Sequence, residues 1–222
     1  MRTVMIGWFV LVSLSGFSQA YDTLPYKPEN YNVKLAAFRN EPPSSGGIIF
    51  LGNSITETGD WKKLLNNPTV LNRGISGDVS FGILNRLDEV IRHKPSKIFL
   101  LIGINDLSKG IPKSVIIQNI FAIVGRLHGE LPKTEIFVQS ILPVNPRHKN
   151  FPAGYGKEND IRETNAQLSK YSDALKYTFV DIYNQFLDNS LQLDLKFSPD
   201  GLHLNAAGYV HWVEYLKKQK FL

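Results

Sequence analysis

The 222-residue chain contains no cysteine. This absence excludes disulfide bonds, thiolate metal ligands, a cysteine nucleophile and the lipid-modified cysteine of a bacterial lipoprotein. It leaves the redox compartment open, because a cysteine-free chain is compatible with oxidising and reducing surroundings. Any nucleophilic chemistry must therefore come from another type of side chain.

After residue 20 the chain also lacks long hydrophobic runs and long runs of like-charged residues. Hydrophobic residues make up 43% of the chain and charged residues 20%, which is typical of a soluble globular protein. The formal net charge of +5 comes from scattered basic residues, and this indicates a solvated surface rather than a nucleic-acid-binding one. No later segment is apolar enough to span a bilayer. The length suits one α/β domain.

The first 20 residues have the pattern of an export signal. Arg2 provides a positive start, Val4–Phe17 is almost wholly apolar, and Ser18-Gln19-Ala20 is a small-x-small cleavage pattern. We therefore predict a secretory signal peptide over residues 1–20, since the apolar part is short for a transmembrane helix. The alternatives are an uncleaved membrane anchor and a buried first helix. The predicted product is exported, periplasmic or extracellular, with no stable membrane insertion after cleavage.

The remaining chain divides into two parts. Residues 21–45 are polar and interrupted by prolines, and we predict an N-terminal extension with one short helix over 31–39. In residues 46–222 apolar runs of strand length alternate with helix-period segments, so we predict one α/β domain with a parallel sheet and helices on both faces. The predicted strands are 48–51, 69–72, 97–102, 135–140 and 177–181, and the longer predicted helices are 79–93, 113–130 and 160–176, with a last helix in the segment from 204 onward.

Polar side chains follow two of these strands at the point where each ends. Gly-Asn-Ser54 comes directly after Leu51, and Gly-Ile-Asn105 comes directly after Ile102. Open α/β sheets bind ligands at the carboxyl ends of their strands. A helix that begins at Ser54 would surround its hydroxyl with free N–H groups, although the serine could equally serve only as a helix cap.

Asp200 and His203 precede the last predicted helix and lie three residues apart around a glycine. This spacing lets the carboxylate bind one imidazole nitrogen while the other nitrogen faces a partner. Beside a serine hydroxyl, such a histidine makes a nucleophilic triad. Taken separately, Asp200 would be a turn or helix cap and His203 a surface residue. No two histidines have the spacing of a zinc site, so we predict no metal and no other cofactor.

Four blocks of the chain resemble, in order and separation, those of the SGNH (GDSL) hydrolase superfamily. The resemblance covers nearly all of residues 46–222. It is greatest to the platelet-activating-factor-acetylhydrolase-like branch, whose pattern secreted bacterial carbohydrate acetylesterases share. It implies a flavodoxin-like, three-layer α/β/α sandwich with a five-stranded parallel sheet. The blocks are Gly52-Asn53-Ser54, Gly77 in Ile-Ser-Gly-Asp, Gly103-Ile104-Asn105-Asp106 and Asp200-x-x-His203.

The resemblance also implies a role for each block. Ser54 would be the nucleophile, His203 the general base and then acid, and Asp200 the residue that orients His203. The backbone N–H groups of Ser54 and Gly77 and the side-chain amide of Asn105 would form the oxyanion hole. Three neutral donors from separate strand ends suit a negative charge that develops only in the transition state.

Two positions depart from familiar patterns. Asn53 stands where the superfamily usually has aspartate; that aspartate is not a triad member, so we expect activity to survive with altered local hydrogen bonding. Thr56 breaks the Gly-x-Ser-x-Gly elbow, so the chain is not a typical α/β-hydrolase.

These observations predict a secreted serine esterase that hydrolyses short acyl esters, in the first place acetyl, on a carbohydrate or another small molecule. A polar loop over 142–157 contains Arg147 and His148, which we predict, with Asn53, to be substrate-binding residues, for example for an acidic sugar. One alternative is a lipid or thioester acylhydrolase. An alternative of another class is an inactive glycan-binding module on the same scaffold.

Overall fold

A computed structural model describes residues 26–149 and 151–222. The predicted signal peptide lies outside these residues, as does the beginning of the predicted extension. The described strands form one parallel sheet in the order β2-β1-β3-β4-β5, which is the flavodoxin-like order. The predicted α/β fold with a five-stranded parallel sheet is therefore confirmed. The strands are β1 (Ile48–Gly52), β2 (Leu71–Gly74), β3 (Lys97–Leu101), β4 (Glu135–Gln139) and β5 (Thr178–Val180).

Helices cover both faces of this sheet. On one side α3 packs against α10, and on the other α7 packs against α4, α5 and α8. The helices in the described ranges are α1 (Tyr31–Asn40), α2 (Ser54–Glu57), α3 (Trp61–Leu65), α4 (Ser80–Asn85), α5 (Leu87–Ile91), α6 (Ile104–Ser108), α7 (Lys113–Glu130), α8 (Glu158–Lys170), α9 (Ser172–Leu175) and α10 (Ala206–Lys218), with a 3-10 turn at Tyr183–Phe186.

A row of aromatic rings fixes the register of the central strands. Phe50, Phe99 and Phe137 are register partners on β1, β3 and β4, and their ring centroids are 4.9 and 4.5 Å apart. Trp61 of α3 stacks on Phe50 at 3.8 Å, and Trp212 of α10 meets Trp61 edge to face at 5.0 Å. These buried rings contribute much of the apolar area of the core. They hold β1 in place, and with it the segment that follows Gly52.

Several element boundaries differ from the prediction. The predicted helix 79–93 is two helices that meet at Arg86, and the predicted helix 160–176 is α8 followed by α9. The apolar period continues across each break, so periodicity alone joins the pieces. The strand predicted over 69–72 is displaced by two residues, and the short helix α6 was not predicted.

The described part of the predicted extension packs on the domain. The Tyr31 hydroxyl donates to the Gly82 carbonyl at 2.7 Å, and the Arg92 guanidinium donates to the Phe38 carbonyl at 2.7 Å. The backbone N–H of Ser44 donates to His93 Nδ1 at 3.1 Å. Tyr31, Phe38 and Ser44 are thus bonded to α4 and to the two residues that follow α5. Over the ranges 26–149 and 151–222, no helix is both long and apolar enough to cross a bilayer.

Candidate active site

Ser54 is the first residue of α2, directly after β1. Asn53 precedes it, and the Asn53 side-chain oxygen accepts the backbone N–H of Ile55 at 3.0 Å, so Asn53 and not Ser54 caps the helix. This frees the Ser54 hydroxyl for another partner. The serine therefore lies at the carboxyl edge of the sheet, where ligands of open α/β folds bind.

A line of hydrogen bonds joins Ser54 to two residues near the end of the chain. Ser54 Oγ lies 3.0 Å from His203 Nε2, and His203 Nδ1 lies 2.7 Å from Asp200 Oδ2. The other carboxylate oxygen of Asp200 accepts the backbone N–H groups of Leu202 and His203 at 2.9 and 2.8 Å. Burial opposes ionisation of Asp200, but these hydrogen bonds outweigh it and lower the pKa of Asp200 below its ordinary value.

Asn145 of the long loop and Ser198, two residues before Asp200, hold the turn between Asp200 and His203. Gly201 has φ +80°, and a β-carbon there would lie 2.2 Å from the Asn145 carbonyl oxygen, so only glycine fits. The backbone N–H of Asn145 donates to the Gly201 carbonyl at 2.8 Å. The Ser198 hydroxyl accepts from the Gly201 N–H and donates to the His203 carbonyl. The imidazole is thereby fixed in direction.

Gly77 and Asn105 lie together beside a cleft of about 380 Å³. Gly77 has φ +79°, and the Asn105 side-chain amide donates one hydrogen to the carbonyl of the next residue, Asp78, at 2.9 Å. This bond fixes the amide plane of Asn105. The cleft is also bordered by Phe151, whose ring meets the His203 ring edge to face at 5.1 Å. The cleft is therefore next to the Ser54–His203 pair.

The model of the GDSL-like lipase/acylhydrolase family matches residues 50–210, which include all the residues of this arrangement. The chain belongs to this family. As a GDSL-family protein it is a carboxylic ester hydrolase. No curated protein matches the chain.

Solved structures of several bacterial proteins share the fold of this chain. A Streptococcus pneumoniae protein provisionally named a platelet activating factor is 32% identical, with a TM-score of 0.77 over 88% of this chain and 93% of that one. A GDSL-like lipase from Bacteroides thetaiotaomicron is 23% identical, with a TM-score of 0.73 over 87% and 98%. An acetylxylan esterase from Geobacillus stearothermophilus is 17% identical, with a TM-score of 0.64 over 80% and 95%. The last two likenesses show the fold alone.

In this GDSL-family hydrolase a buried arginine connects the strand ends that carry the site. Arg86 Nε donates to Asp78 Oδ2 at 3.0 Å, and Arg86 Nη2 donates to the carbonyls of Gly52 and Arg73 at 3.1 and 2.9 Å. The side chains of Arg86 and Asp78 are fully buried. The guanidinium thus joins the end of β1, before Ser54, to the loop that carries Gly77.

Replacing Arg86 with methionine is expected to lower the free energy of unfolding by about 3–5 kcal/mol, because it leaves the Asp78 carboxylate buried without its partner. Urea unfolding measures the change. The matched control is Arg39→Met, which breaks an exposed ion pair with Asp88 and is expected to cost about 1 kcal/mol or less. Equal losses for the two variants would contradict the structural role of Arg86.

A second buried carboxylate lies next to Asn105 in the GDSL-family site. Asp106 accepts the backbone N–H of Ser80 at 2.9 Å and the Ser80 hydroxyl at 2.5 Å, and Asn119 donates to that hydroxyl at 2.8 Å. Burial raises the pKa of Asp106 to about 6 despite these bonds. The start of α6, with Asn105, is thereby attached to the start of α4.

The three residues predicted to bind substrate do not form one cluster with Ser54, His203 and Asp200. Asn53 is buried beneath the serine, and its Nδ2 has no partner among the described residues. Arg147 is exposed, and only its backbone N–H is engaged, by the Asn145 side chain. In residues 26–149 and 151–222, no hydrogen bond, ion pair or ring contact joins Arg147 or His148 to Ser54 or His203. Their substrate contacts stay a prediction.

The long loop contributes other residues that the sequence interpretation missed. The Tyr155 hydroxyl donates to the Asp200 carbonyl at 2.8 Å, and Phe151 covers His203. Asn145 holds Gly201, as described above. The only sequence feature that could have indicated these residues is the length of the loop, because loops of this length in compact domains are usually functional.

Proposed function

We propose that this protein is an exported serine esterase that removes short acyl groups, in the first place acetyl, from a carbohydrate. The observation that carries the proposal is the 3.0 Å contact between Ser54 Oγ and a His203 ring oriented by Asp200. The export part depends on the predicted signal peptide.

In the proposed reaction His203 Nε2 takes the proton of Ser54 as Oγ attacks the acyl carbon. The carbonyl electron pair moves to oxygen, where the N–H groups of Ser54 and Gly77 and the amide of Asn105 stabilise the charge. The intermediate collapses, its bond to the sugar oxygen breaks, and His203 returns the proton to that oxygen. Water then attacks the acyl carbon of the acyl-enzyme while His203 takes a proton from that water. The bond to Ser54 Oγ breaks, His203 returns the proton to Oγ, and the free acid leaves.

The chemistry of the cleft supports a short acyl group on a polar alcohol. The residues around Gly77 and Asn105 include Ser108 and Lys109, and Leu202 and the 151–154 segment supply an apolar wall to this cleft of about 380 Å³. A long acyl chain needs a larger and more continuous apolar surface. The fold shared with an acetylxylan esterase agrees with this choice. The second candidate, a lipid acylhydrolase, is favoured by the 32% identity to the protein named a platelet activating factor.

Acetate release from acetylated xylan, pectin, sialic acids and peptidoglycan tests the proposal, together with p-nitrophenyl esters of two to twelve carbons. We expect the highest kcat/KM on acetyl esters and measurable release from at least one acetylated glycan. A preference for chains of eight carbons or more would favour the lipid candidate. Glycan binding without any turnover would favour an inactive binding module.

Asn105→Ala is expected to lower kcat by about 10²–10³-fold, because one of the three proposed oxyanion donors is lost. KM should change little, since the charge appears only in the transition state. Steady-state kinetics with p-nitrophenyl acetate give both constants. Ser108→Ala is the matched control, because its hydroxyl borders the same cleft but donates within α6 to the Ile104 carbonyl. If kcat of Asn105→Ala falls by less than tenfold, Asn105 is not a donor of the oxyanion hole.

A further inference from the structure

The described N-terminal segment reaches the proposed oxyanion hole. A β-carbon built on Gly77 would lie 3.4 Å from the ring of Pro28, so the proline lies directly against this glycine. Next to the contact is a second hollow of about 370 Å³, which we call the N-terminal hollow. Among its lining residues are Tyr26, Lys27, Asn32, Arg39, Phe81 and Asn85.

The N-terminal hollow is close to the cleft at Ser54. Tyr26 and Lys27 lie two and one residues before Pro28, and Val79, which also lines the hollow, lies two residues after Gly77. Two residues of chain span at most about 7 Å. The hollow therefore begins close to the Pro28–Gly77 contact, beside the proposed oxyanion hole.

The side chains of the hollow combine an aromatic wall with polar and cationic groups. The rings of Tyr26 and Phe81 stack with centroids 6.3 Å apart and planes inclined by 22°. Asn32 and Asn85 are exposed amides that can donate and accept hydrogen bonds. An aromatic surface with a few fixed polar groups is typical of small-molecule sites.

The charge of the hollow favours an anion. Lys27 and Arg39 line it, and no aspartate or glutamate is among its described lining residues. Arg39 is paired with Asp88. Lys27 has no carboxylate within ion-pair distance in the part of the chain that the structure describes, and its ammonium lies 4.9 Å from the Tyr31 ring centroid. Lys27 is thus available to bind a carboxylate.

The wall of the hollow is held to the active-site loop. Glu57 of α2 forms an ion pair with Lys34 of α1 at 2.5 Å and accepts the backbone N–H of Ser76 at 2.6 Å. Tyr31 is bonded to Gly82 of α4. The ion pair to α2 and the hydrogen bond to α4 keep the N-terminal segment in a fixed position relative to Ser54, and Glu57 connects that ion pair to the loop before Gly77.

We propose that the N-terminal hollow is a sugar-binding subsite that takes an acidic residue of an oligosaccharide whose neighbouring residue carries the ester at Ser54. Tyr26 contacts the sugar ring, and Lys27 binds the carboxylate. This inference rests on the proposed carbohydrate esterase function and names its substrate class, an acetylated oligosaccharide that contains a uronic or similar acid.

The test compares Lys27→Gln with Lys62→Gln, an exposed lysine on α3 outside the hollow. The substrates are acetylated oligogalacturonides, which are acidic, and acetylated xylo-oligosaccharides, which are neutral, and p-nitrophenyl acetate gives a reference rate for each variant. We expect the ratio of kcat/KM on the acidic to the neutral substrate to fall about three- to tenfold in Lys27→Gln only. High salt should reduce the difference.

Calorimetric titration with an unacetylated oligogalacturonide measures the subsite without turnover, and Lys27→Gln should weaken this binding about three- to tenfold. Equal affinity for the wild type, Lys27→Gln and Lys62→Gln, or no binding at all, overturns the subsite even if the esterase activity is present. Binding that depends on Lys27 without release of acetate from any glycan supports the subsite and contradicts the proposed function. If Lys27→Gln lowers kcat/KM only on acetate esters of phospholipids, the hollow binds a lipid headgroup and the proposed sugar subsite is wrong.

Discussion

Ser54→Ala is expected to lower kcat on p-nitrophenyl acetate by at least about 10⁴-fold, because it removes the oxygen that would form the acyl-enzyme. The fold should be retained, since within residues 26–149 and 151–222 the Ser54 hydroxyl is hydrogen-bonded only to His203 Nε2. Thermal unfolding checks this. Residual hydrolysis would reflect only binding and the oxyanion donors.

Labelling with a fluorophosphonate distinguishes loss of the nucleophile from unfolding of the protein. The wild type and Ser108→Ala should each gain one covalent adduct by mass spectrometry, and Ser54→Ala should gain none. Ser108 is a suitable control because it borders the same cleft. More than a tenth of wild-type activity in Ser54→Ala, or labelling of that variant at the same rate, would contradict the proposed mechanism.

The parts of the site that the sequence predicted are those encoded by short local patterns. An apolar run that ends at glycine and is followed by a polar residue marks the carboxyl end of a buried strand, and Ser54 and Asn105 were both found this way. Asp200 and His203 were found because they are three residues apart. Parallel strands bring their carboxyl ends to one edge, so local patterns were enough to predict the convergence.

The parts that the sequence did not reveal depend on contacts between distant residues. Arg86 resembles any arginine on an amphipathic helix, yet it is buried where α4 meets α5 and binds two strand ends. Asn145, Phe151 and Tyr155 come from a loop without periodicity, and only the folded turn at Gly201 gives them partners. The N-terminal segment likewise has no local pattern that indicates its contact with Gly77.

The lowered pKa of Asp200 also predicts how this residue affects stability. Because its pKa is lower in the folded protein than its ordinary value, the ionised carboxylate stabilises the fold above that value, and the contribution is lost as the pH falls through the folded-state pKa. The difference in unfolding free energy between the wild type and Asp200→Asn should therefore be largest near neutral pH and decrease under strongly acidic conditions. Asp173→Asn, at an exposed position on α9, is the matched control.

Asp200→Asn is expected to lower kcat by about 10⁴-fold while the fold is retained. Asp200 Oδ1 accepts the N–H groups of Leu202 and His203, so in the variant the amide oxygen must remain there and the NH₂ group must face His203 Nδ1. An NH₂ donor requires Nδ1 to be the unprotonated nitrogen, which places the ring proton on Nε2. That nitrogen can then no longer accept the Ser54 proton. Steady-state kinetics against Asp173→Asn measure the effect, and a loss below about tenfold would mean that Asp200 does not set the tautomer of His203.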